Sequence, residues 1–383
     1  MESDVKKNWY DRNYKLLLIP PILLFIVSLI FLVNFYQENN DIFKKDVSLT
    51  GGTTITVFDS KANVESIVNQ LRGSFPDLSS RVLSDIGTGN QRGFSIETKE
   101  NVTQIRPALE KILGYTLTNE NSSTEFSGSS LSEGFYTQLR NSLIAAFLLM
   151  GWVVFAIFGA SKRVKGFTLM LSSLGVAILL PAIQIVSLLA IGGILIGLFM
   201  TLGKPGRNKQ NIWLAIGTFL ISLGLFFLYP SFWLIFPIII LTLGLYTYYS
   251  VPSIMVILCA LADIIITVAI VDYLGMSLSA AGIVAFLMLI GYSVDTDILL
   301  TTNVLRKKEG SLNQRIWSST KTGLTMSLTA ISSVVVSLLI TRGSSDVLAQ
   351  IFTILFIGLI LDIINTWITN ASLIKWYAEV KKL

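Results

Sequence analysis

Histidine is absent from this 383-residue chain, and cysteine occurs once, at Cys259. Without the usual nitrogen and sulfur ligands no zinc centre is expected. A lone thiol within an apolar run leaves no intrachain disulfide and reads as a small buried hydrophobe. The chain also lacks a GxxxxGK[ST] phosphate loop and a G-x-S-x-G nucleophile elbow. No enzyme activity and no cofactor are therefore expected. Charge is scarce as well: 14% of residues are charged, against about 25% in ordinary soluble domains.

Apolar residues fill the space that charge leaves, at 52% of the chain. The net charge of +5 does not point to nucleic acid, because the basic residues sit in short clusters beside apolar spans. Lys6-Lys7, Lys162 to Lys165, Lys204 to Lys209, Arg306 to Lys308 and Lys381-Lys382 are such clusters. That is the pattern of cytoplasmic loops in a protein surrounded by membrane lipid.

The first apolar run, Leu16 to Tyr36, is too long for a signal peptide core and no small-x-small cleavage site follows it. It reads as a retained anchor, and residues 1–36 form the first unit. Residues 37–138 change character. GTTITVF (Gly52–Phe58) is rich in β-branched residues, and SSRVLSDI and QRGFSIETK flank a turn-like GTGN, so all three read as strands. TEFSGSS supplies a fourth. Ala62 to Phe75 and Val102 to Leu113 carry apolar residues at helical spacing. The order β-α-β-β-α-β predicts a small α+β ferredoxin-like domain, extracytoplasmic because one crossing precedes it. Asn101-Val-Thr and Asn121-Ser-Ser are glycosylation triplets of a kind common by chance.

Residues 139–160 return the chain to the membrane. Residues 161–250 contain two long apolar blocks, Gly166–Leu202 and Asn211–Tyr249, with Pro181 and Pro230 near their middles. Each is nearly twice a spanning length and reads as a helical hairpin. Residues 251–383 supply Pro252–Val271, Ala281–Leu305, Trp317–Ile340 and Ala349–Trp376. The sum is a polytopic α-helical membrane protein of about ten spans. Both termini and every basic loop then share the cytoplasmic side of a cell membrane.

Polar side chains at membrane depth are few: Asp263, Asp295, Asp297, Lys321 and Asp362, with Asn365 beside the last. An ionisable group in a span normally faces a bundle interior or a wet cavity and marks an ion path. Asp295 lies close to the middle of its run. Asp297, two residues on, points to nearly the opposite helix side, so only one of the pair can face a main cavity. Taking Asp295 to lie on the seam leaves Asp297 for another helix. On the next helix Ser318, Thr322, Thr325 and Thr329 draw a hydroxyl stripe that could face the acids, or could simply allow close packing. Lys321 stands near its end, one turn from Trp317.

At these residues the sequence resembles SecF, the accessory membrane subunit of the Sec protein-export system, in its archaeal form. The segments that carry the resemblance are SLTGGTTITVF, VPSIMVILCALADIIITVAI, LMLIGYSVDTDILLTTNVLRKKEG, KTGLTMSLTAISSVVV and FIGLILDIINTWITNASLIKWY. The resemblance implies six core spans, an external ferredoxin-like domain after the first, and kinship with resistance-nodulation-division transporters, whose bundles carry protonatable groups. It implies a SecD-like subunit, the Sec translocon and exported polypeptides as partners, and proton-driven help in moving or releasing those polypeptides. It puts Asp295 in the place of the fourth span's acid, Asp263 in that of the third, and Lys321 where bacterial relatives have arginine. Two departures stand out. The bacterial pattern G-Y-S-x-N-D-T aligns its acid with Thr296, and residues 161–250 have no counterpart, making four spans inserted in a core of six. A small-molecule or lipid exporter of the same superfamily, and a passive assembly scaffold, are the rival readings. The single small external domain disfavours the exporter, and a scaffold would be indifferent to loss of the acids.

Overall fold

The computed structural model describes residues 9–84, 90–159, 161–179, 235–307, 309–341 and 346–382. A short helix α1 (Trp9–Asn13) and a 3-10 turn (Leu16–Leu18) lead into α2 (Ile19–Asn39). Pro20 and Pro21 open α2, where a missing N–H breaks no helix bond. Next come α3 (Val47–Thr50), β1 (Gly52–Val57), α4 (Val64–Arg72), β2 (Ser79–Ser84), β3 (Gln91–Thr98), α5 (Val102–Leu113) and β4 (Ser122–Ser127). The membrane part comprises α6 (Ser129–Phe158), α7 (Lys162–Leu179), α8 (Ile235–Tyr249), α9 (Val251–Tyr273), α10 (Ala280–Arg306), α11 (Leu312–Thr341) and α12 (Asp346–Ile364). A π-helical segment (Asn365–Asn370) joins α12 to α13 (Ala371–Lys381).

Strands and helices of the small domain fall close to where alternation and periodicity put them, in the chain order β-α-β-β-α-β. The sheet is antiparallel throughout, in the order β2-β3-β1-β4. Side chains alternate across it. Ile55, Val57, Phe94 and Ile96 turn inward and pack under Val64, Ile67, Val68 and Leu71 of α4 and Ile105 and Leu109 of α5. Thr54, Thr56, Ser95 and Glu97 turn the other way, away from α4 and α5. Asn63 and Asn101 cap the two helices by accepting from the backbone N–H groups of Ser66 and Thr103, which gives Asn101 a structural reason to be asparagine.

Among the described residues, six helices are long and apolar enough to cross a membrane: Leu16–Asn39, Ser129–Phe158, Val251–Tyr273, Ala280–Arg306, Leu312–Thr341 and Val347–Lys381. These match the six core runs read from the sequence. Helix α6 begins at Ser129, ahead of the boundary drawn between residues 138 and 139, and the apolar run is its C-terminal part. Of the inserted blocks, α7 and the 15-residue α8 are described. Pro181, Pro230 and the expected hairpin turns lie outside the described residues.

Helices α9, α10 and α12 form the centre of the bundle, with α6 and α11 beside them. Helix α2 lies against α9, with Phe31 edge-on to Tyr273, and most of its surface stays exposed. In lipid, apolar burial drives helices together weakly, so close packing matters more. Gly358 lets α12 meet α10: a Cβ there would lie 2.3 Å from Leu289 Cδ2.

The two parts are joined by a polar knot. Leu278 N–H donates to the Lys44 carbonyl at 2.6 Å, and Asp46 N–H to the Leu278 carbonyl at 3.0 Å. Ser48 Oγ accepts from Ala280 N–H at 2.9 Å. Ser279, the N-cap of α10, donates its hydroxyl to Gln350 of α12. The N-terminal ends of α10 and α12 are thus tied to each other and to the base of the sheet domain. Above the knot, the face of the sheet turned away from α4 and α5 roofs a polar cavity of about 460 Å³ floored by Ser277, Ser279 and Gln350.

Candidate functional site

Three carboxylates lie fully inside the bundle: Asp263 on α9, Asp297 on α10 and Asp362 on α12, all at most 1% exposed. Asp263 accepts from Ser293 Oγ and from Asn365 Nδ2, each at 2.6 Å. Asp362 accepts from Thr296 Oγ1 and Thr366 Oγ1, both at 3.1 Å. Asp297 accepts from Asn370 Nδ2 at 2.8 Å, and that amide also reaches Thr301 Oγ1 at 3.4 Å. Every one of these donors is a neutral hydroxyl or amide. The bonds define a net in which α10 and the π-segment supply partners to acids on α9, α10 and α12.

The π-segment explains how one short stretch reaches all three. In an α-helix, residues five apart project about 140° from one another. A π turn closes on the i+5 residue instead, which brings such a pair nearly into line and often marks a functional site. Asn365 and Asn370 are five apart, and they meet Asp263 and Asp297 respectively while Thr366, between them, meets Asp362.

Two features make the net incomplete in a useful way. Thr296 has one hydroxyl proton but more than one acceptor in reach, among them the Ser293 carbonyl at 2.9 Å and Asp362 at 3.1 Å, so it can exchange between them. Asp297 Oδ2 and Asn370 Oδ1 have no hydrogen-bond partner among the described residues although both are buried. Unsatisfied buried acceptors are costly. A proton on the carboxylate or a donor moving in would satisfy them.

The expected geometry of the aspartate pair is corrected. Asp297, not Asp295, is on the interior seam: it is 0% exposed, while Asp295 is exposed. Asp295 lines a cleft of about 420 Å³ with Tyr292, Met326, Ser327, Thr329, Ser333 and Asp362. The cleft thus reaches from an exposed acid to a buried one. The two-residue spacing sends them to different neighbours, as helix geometry requires.

The expected stripe is also corrected. Ser318, Thr322, Thr325 and Thr329 are exposed, and the last three donate to carbonyls of their own helix. Only Thr329 lines the cleft. The face of α11 that packs inward is one step round the helix, at Ile316, Ser319, Gly323, Ser327 and Val334. Gly323 sets it, because a Cβ there would sit 2.1 Å from Trp367 Cζ2. Lys321 is exposed and lies 5.6 Å from the Trp317 ring centre, so it snorkels along its own helix and does not join the acids.

Sequence reasoning named Asp263, Asp297, Asp362 and Asn365, and Thr296 as the position of the bacterial acid, but missed Ser293, Thr301, Thr366 and Asn370. A signal for the last two was present. Asp362, Asn365, Thr366 and Asn370 follow one helical face at steps of three, one and four in an otherwise apolar run. Among the described residues no cluster of three or more His, Cys, Asp or Glu could hold a metal ion.

Residues 216–380 match the family model described as protein export membrane protein SecD/SecF, C-terminal. The SecF protein of Methanothermobacter thermautotrophicus is 48% identical over 134 residues, covering 34% of this chain and 47% of that protein. SecF of Methanocaldococcus jannaschii is 44% identical over 147 residues, covering 37% and 52%, and that of Pyrococcus furiosus is 46% identical over 127, covering 33% and 42%. The alignments therefore span about half the length of these relatives. In fold, the chain resembles SecDF of Thermus thermophilus, a translocon-associated membrane protein, with a TM-score of 0.53 at 15% identity over 98% of this chain and 40% of that one. The part of the chain that holds the aspartate net is therefore similar to the SecD/SecF C-terminal domain, and the relatives that match it there are SecF proteins.

Proposed function

We propose that this chain is an accessory subunit of the Sec protein-export machinery, acting beside a SecD-like subunit and the translocon to help exported polypeptides move outward or be released, with the proton gradient as the energy source. The observation that carries the reading is the net of Asp263, Asp297 and Asp362, met only by hydroxyls and amides. Such partners can rearrange when a proton arrives or leaves, whereas a fixed ion pair would hold one state. One charge crossing 100 mV releases about 2.3 kcal/mol, so several must cycle per useful stroke. The knot of Ser279, Gln350, Asp46 and Ser48 supports a route from the acids to the sheet domain, since two acid-bearing helices end in it.

The same reading sets the topology. The β-α-β-β-α-β unit is a ferredoxin-like domain on the outer side of the cell membrane, and both termini are cytoplasmic. Residues 161–250 add four spans to the six, for ten, in a peripheral module facing lipid or a partner. The aspartate roles are reassigned with the geometry: Asp297, Asp263 and Asp362 form the relay, and Asp295 stands at the mouth of its cleft.

The test is secretion of a reporter in cells that depend on this chain. Asp297→Asn should abolish stimulated export while the protein still co-purifies with its SecD-like partner, since Asn keeps the shape of the carboxylate. Asp295→Asn should reduce export less. Wild-type export in both Asp297→Asn and Asp263→Asn would leave a passive scaffold as the better description.

A further inference from the structure

The end of the bundle away from the sheet domain holds a second buried polar cluster, and the aspartate net makes no use of it. Lys375 of α13 is 1% exposed. Its Nζ donates to Asp11 Oδ1 at 2.5 Å and to Asn313 Oδ1 at 2.8 Å. It also lies 4.2 Å from the Tyr10 ring centre and 4.9 Å from that of Tyr14. Asn313 Nδ2 donates to the same Asp11 oxygen at 2.8 Å, and Tyr14 donates its hydroxyl to Glu379 at 2.6 Å. One carboxylate from α1 therefore holds the first turn of α11 and the middle of α13 together. An ammonium can be buried this deeply only with its charge paired and its donors met. Buried pairs of this kind act more in selecting one arrangement of helices than in adding stability.

Between this cluster and Asp297 lies an apolar layer. Leu300 and Val304 of α10, Ile316 of α11 and Ala371, Ile374 and Ala378 of α13 pack together, all buried. Thr301, which touches Asn370, borders the layer on the acid side. The three helices that make the layer are α10, α11 and α13. The Asp11 contact fixes two of them, and Arg315 ties the third by donating to the Val304 carbonyl at 2.7 Å. The layer separates Asp297 from the helix ends only while these helices stay together.

We propose that α1 is a latch on an inner gate. The Asp11–Lys375–Asn313 contact holds α11 and α13 against α10, which keeps the apolar layer shut and keeps water at this end away from Asp297. Release of the latch opens a path from this end to the acid. The gate owes its purpose to the ion-coupled reading above, but its geometry stands without it.

Thiol accessibility tests the latch directly. In a Cys259→Ala background, Thr301→Cys places a reporter between the layer and the acids. The full chain in oriented membrane vesicles is treated with a small charged methanethiosulfonate from each side in turn. With the latch intact, labelling from the Arg306 end is slow. Asp11→Asn and Lys375→Met each convert a minor open state into a common one and speed labelling roughly tenfold or more. The exchanged pair Asp11→Lys with Lys375→Asp slows it again. Unchanged rates in both single variants overturn the latch. Faster labelling that the exchanged pair does not reverse also overturns it, because Lys375 then only supports the fold. Labelling does not read export, so failure of Asp297→Asn to affect secretion sinks the coupled reading and leaves the labelling result intact. Labelling from both sides also makes a reversed orientation visible as a change of side.

Discussion

Asp46 meets two demands at the base of the sheet domain. Its carboxylate caps α3, accepting from the Ser48 N–H at 2.8 Å and the Ser48 hydroxyl at 2.6 Å. Burial pushes its carboxyl up from 3.8 to about 6, with the Ser48 hydrogen bond opposing and nearby Glu97 adding to the rise. The folded chain therefore holds this proton more tightly than the unfolded one. Its contribution to stability is fully present below pH 3.8 and is lost as the pH climbs through about 6. The joint between sheet and bundle should accordingly loosen over that window. Asp46→Asn keeps the capping oxygen and removes the charge, so it should flatten the slope. Hydrogen exchange of the backbone amides of Val47 to Gly52, compared at pH 4 and pH 7, reads this, and equal slopes in the two proteins would refute it. Residue by residue, the acids themselves were legible because charge in an apolar run stands out. Which acid turns inward was not. Position along the span favoured Asp295, but direction decides, and α10 buries Leu289, Ser293, Thr296, Asp297, Leu300 and Val304 along one face. In a span apolar on all sides that face has almost no hydropathy contrast to reveal it.

Helix α11 shows the same problem at the scale of an element, and it can be tested there. Its hydroxyl stripe was the conspicuous pattern, yet the packed face is the quieter one beside it, built on Ser319, Gly323 and Ser327. A methyl group at Gly323 must displace the Trp367 ring, which belongs to the π-segment that serves all three acids. Overpacking of this kind costs about 1–3 kcal/mol. Gly323→Ala should therefore lower the thermal midpoint of the isolated chain in detergent, and Trp367→Phe, which shortens the ring, should restore part of the loss. Thr322→Ala, on the exposed stripe, should leave the midpoint unchanged. A larger loss from Thr322→Ala than from Gly323→Ala would return the packed face to the stripe. The strands were easier to read, because alternation in β1 and β3 has one apolar and one polar side. The π-segment was not legible, since an i+5 turn leaves no mark in a period of 3.6.

At the scale of the whole molecule the open matter is residues 161–250, which hold no Asp and no Glu. Their described helices pack on one flank of the bundle. Tyr246 of α8 stacks on Phe155 of α6 with ring centres 4.7 Å apart, and Ser172 of α7 lies 3.4 Å from the Tyr246 hydroxyl. Trp152 Nε1 of α6 donates to the Lys165 carbonyl at 3.1 Å. The Tyr246 and Trp152 contacts fall on α6, and α8 also meets α9, whereas the acids take their partners from α10 and the π-segment. Removing the module would uncover Leu148, Gly151 and Phe155, which are apolar and can face lipid, and would cost the Trp152 indole N–H and the Asn141 amide their acceptors on α7. Both cut points, Gly159 after α6 and Val251 at the start of α9, lie beside helices that already pack on each other. Two whole hairpins, as proposed, also return the chain to the side it left. Joining Gly159 to Val251 should therefore give a protein that inserts in the same orientation and still co-purifies with a SecD-like partner, with a lower thermal midpoint from the lost Phe155 stacking. The orientation is read by labelling a cysteine placed at Lys307 from each side of the membrane. If that label changes sides, or if the partner is lost, residues 161–250 are part of the core and the six-span bundle cannot stand without them.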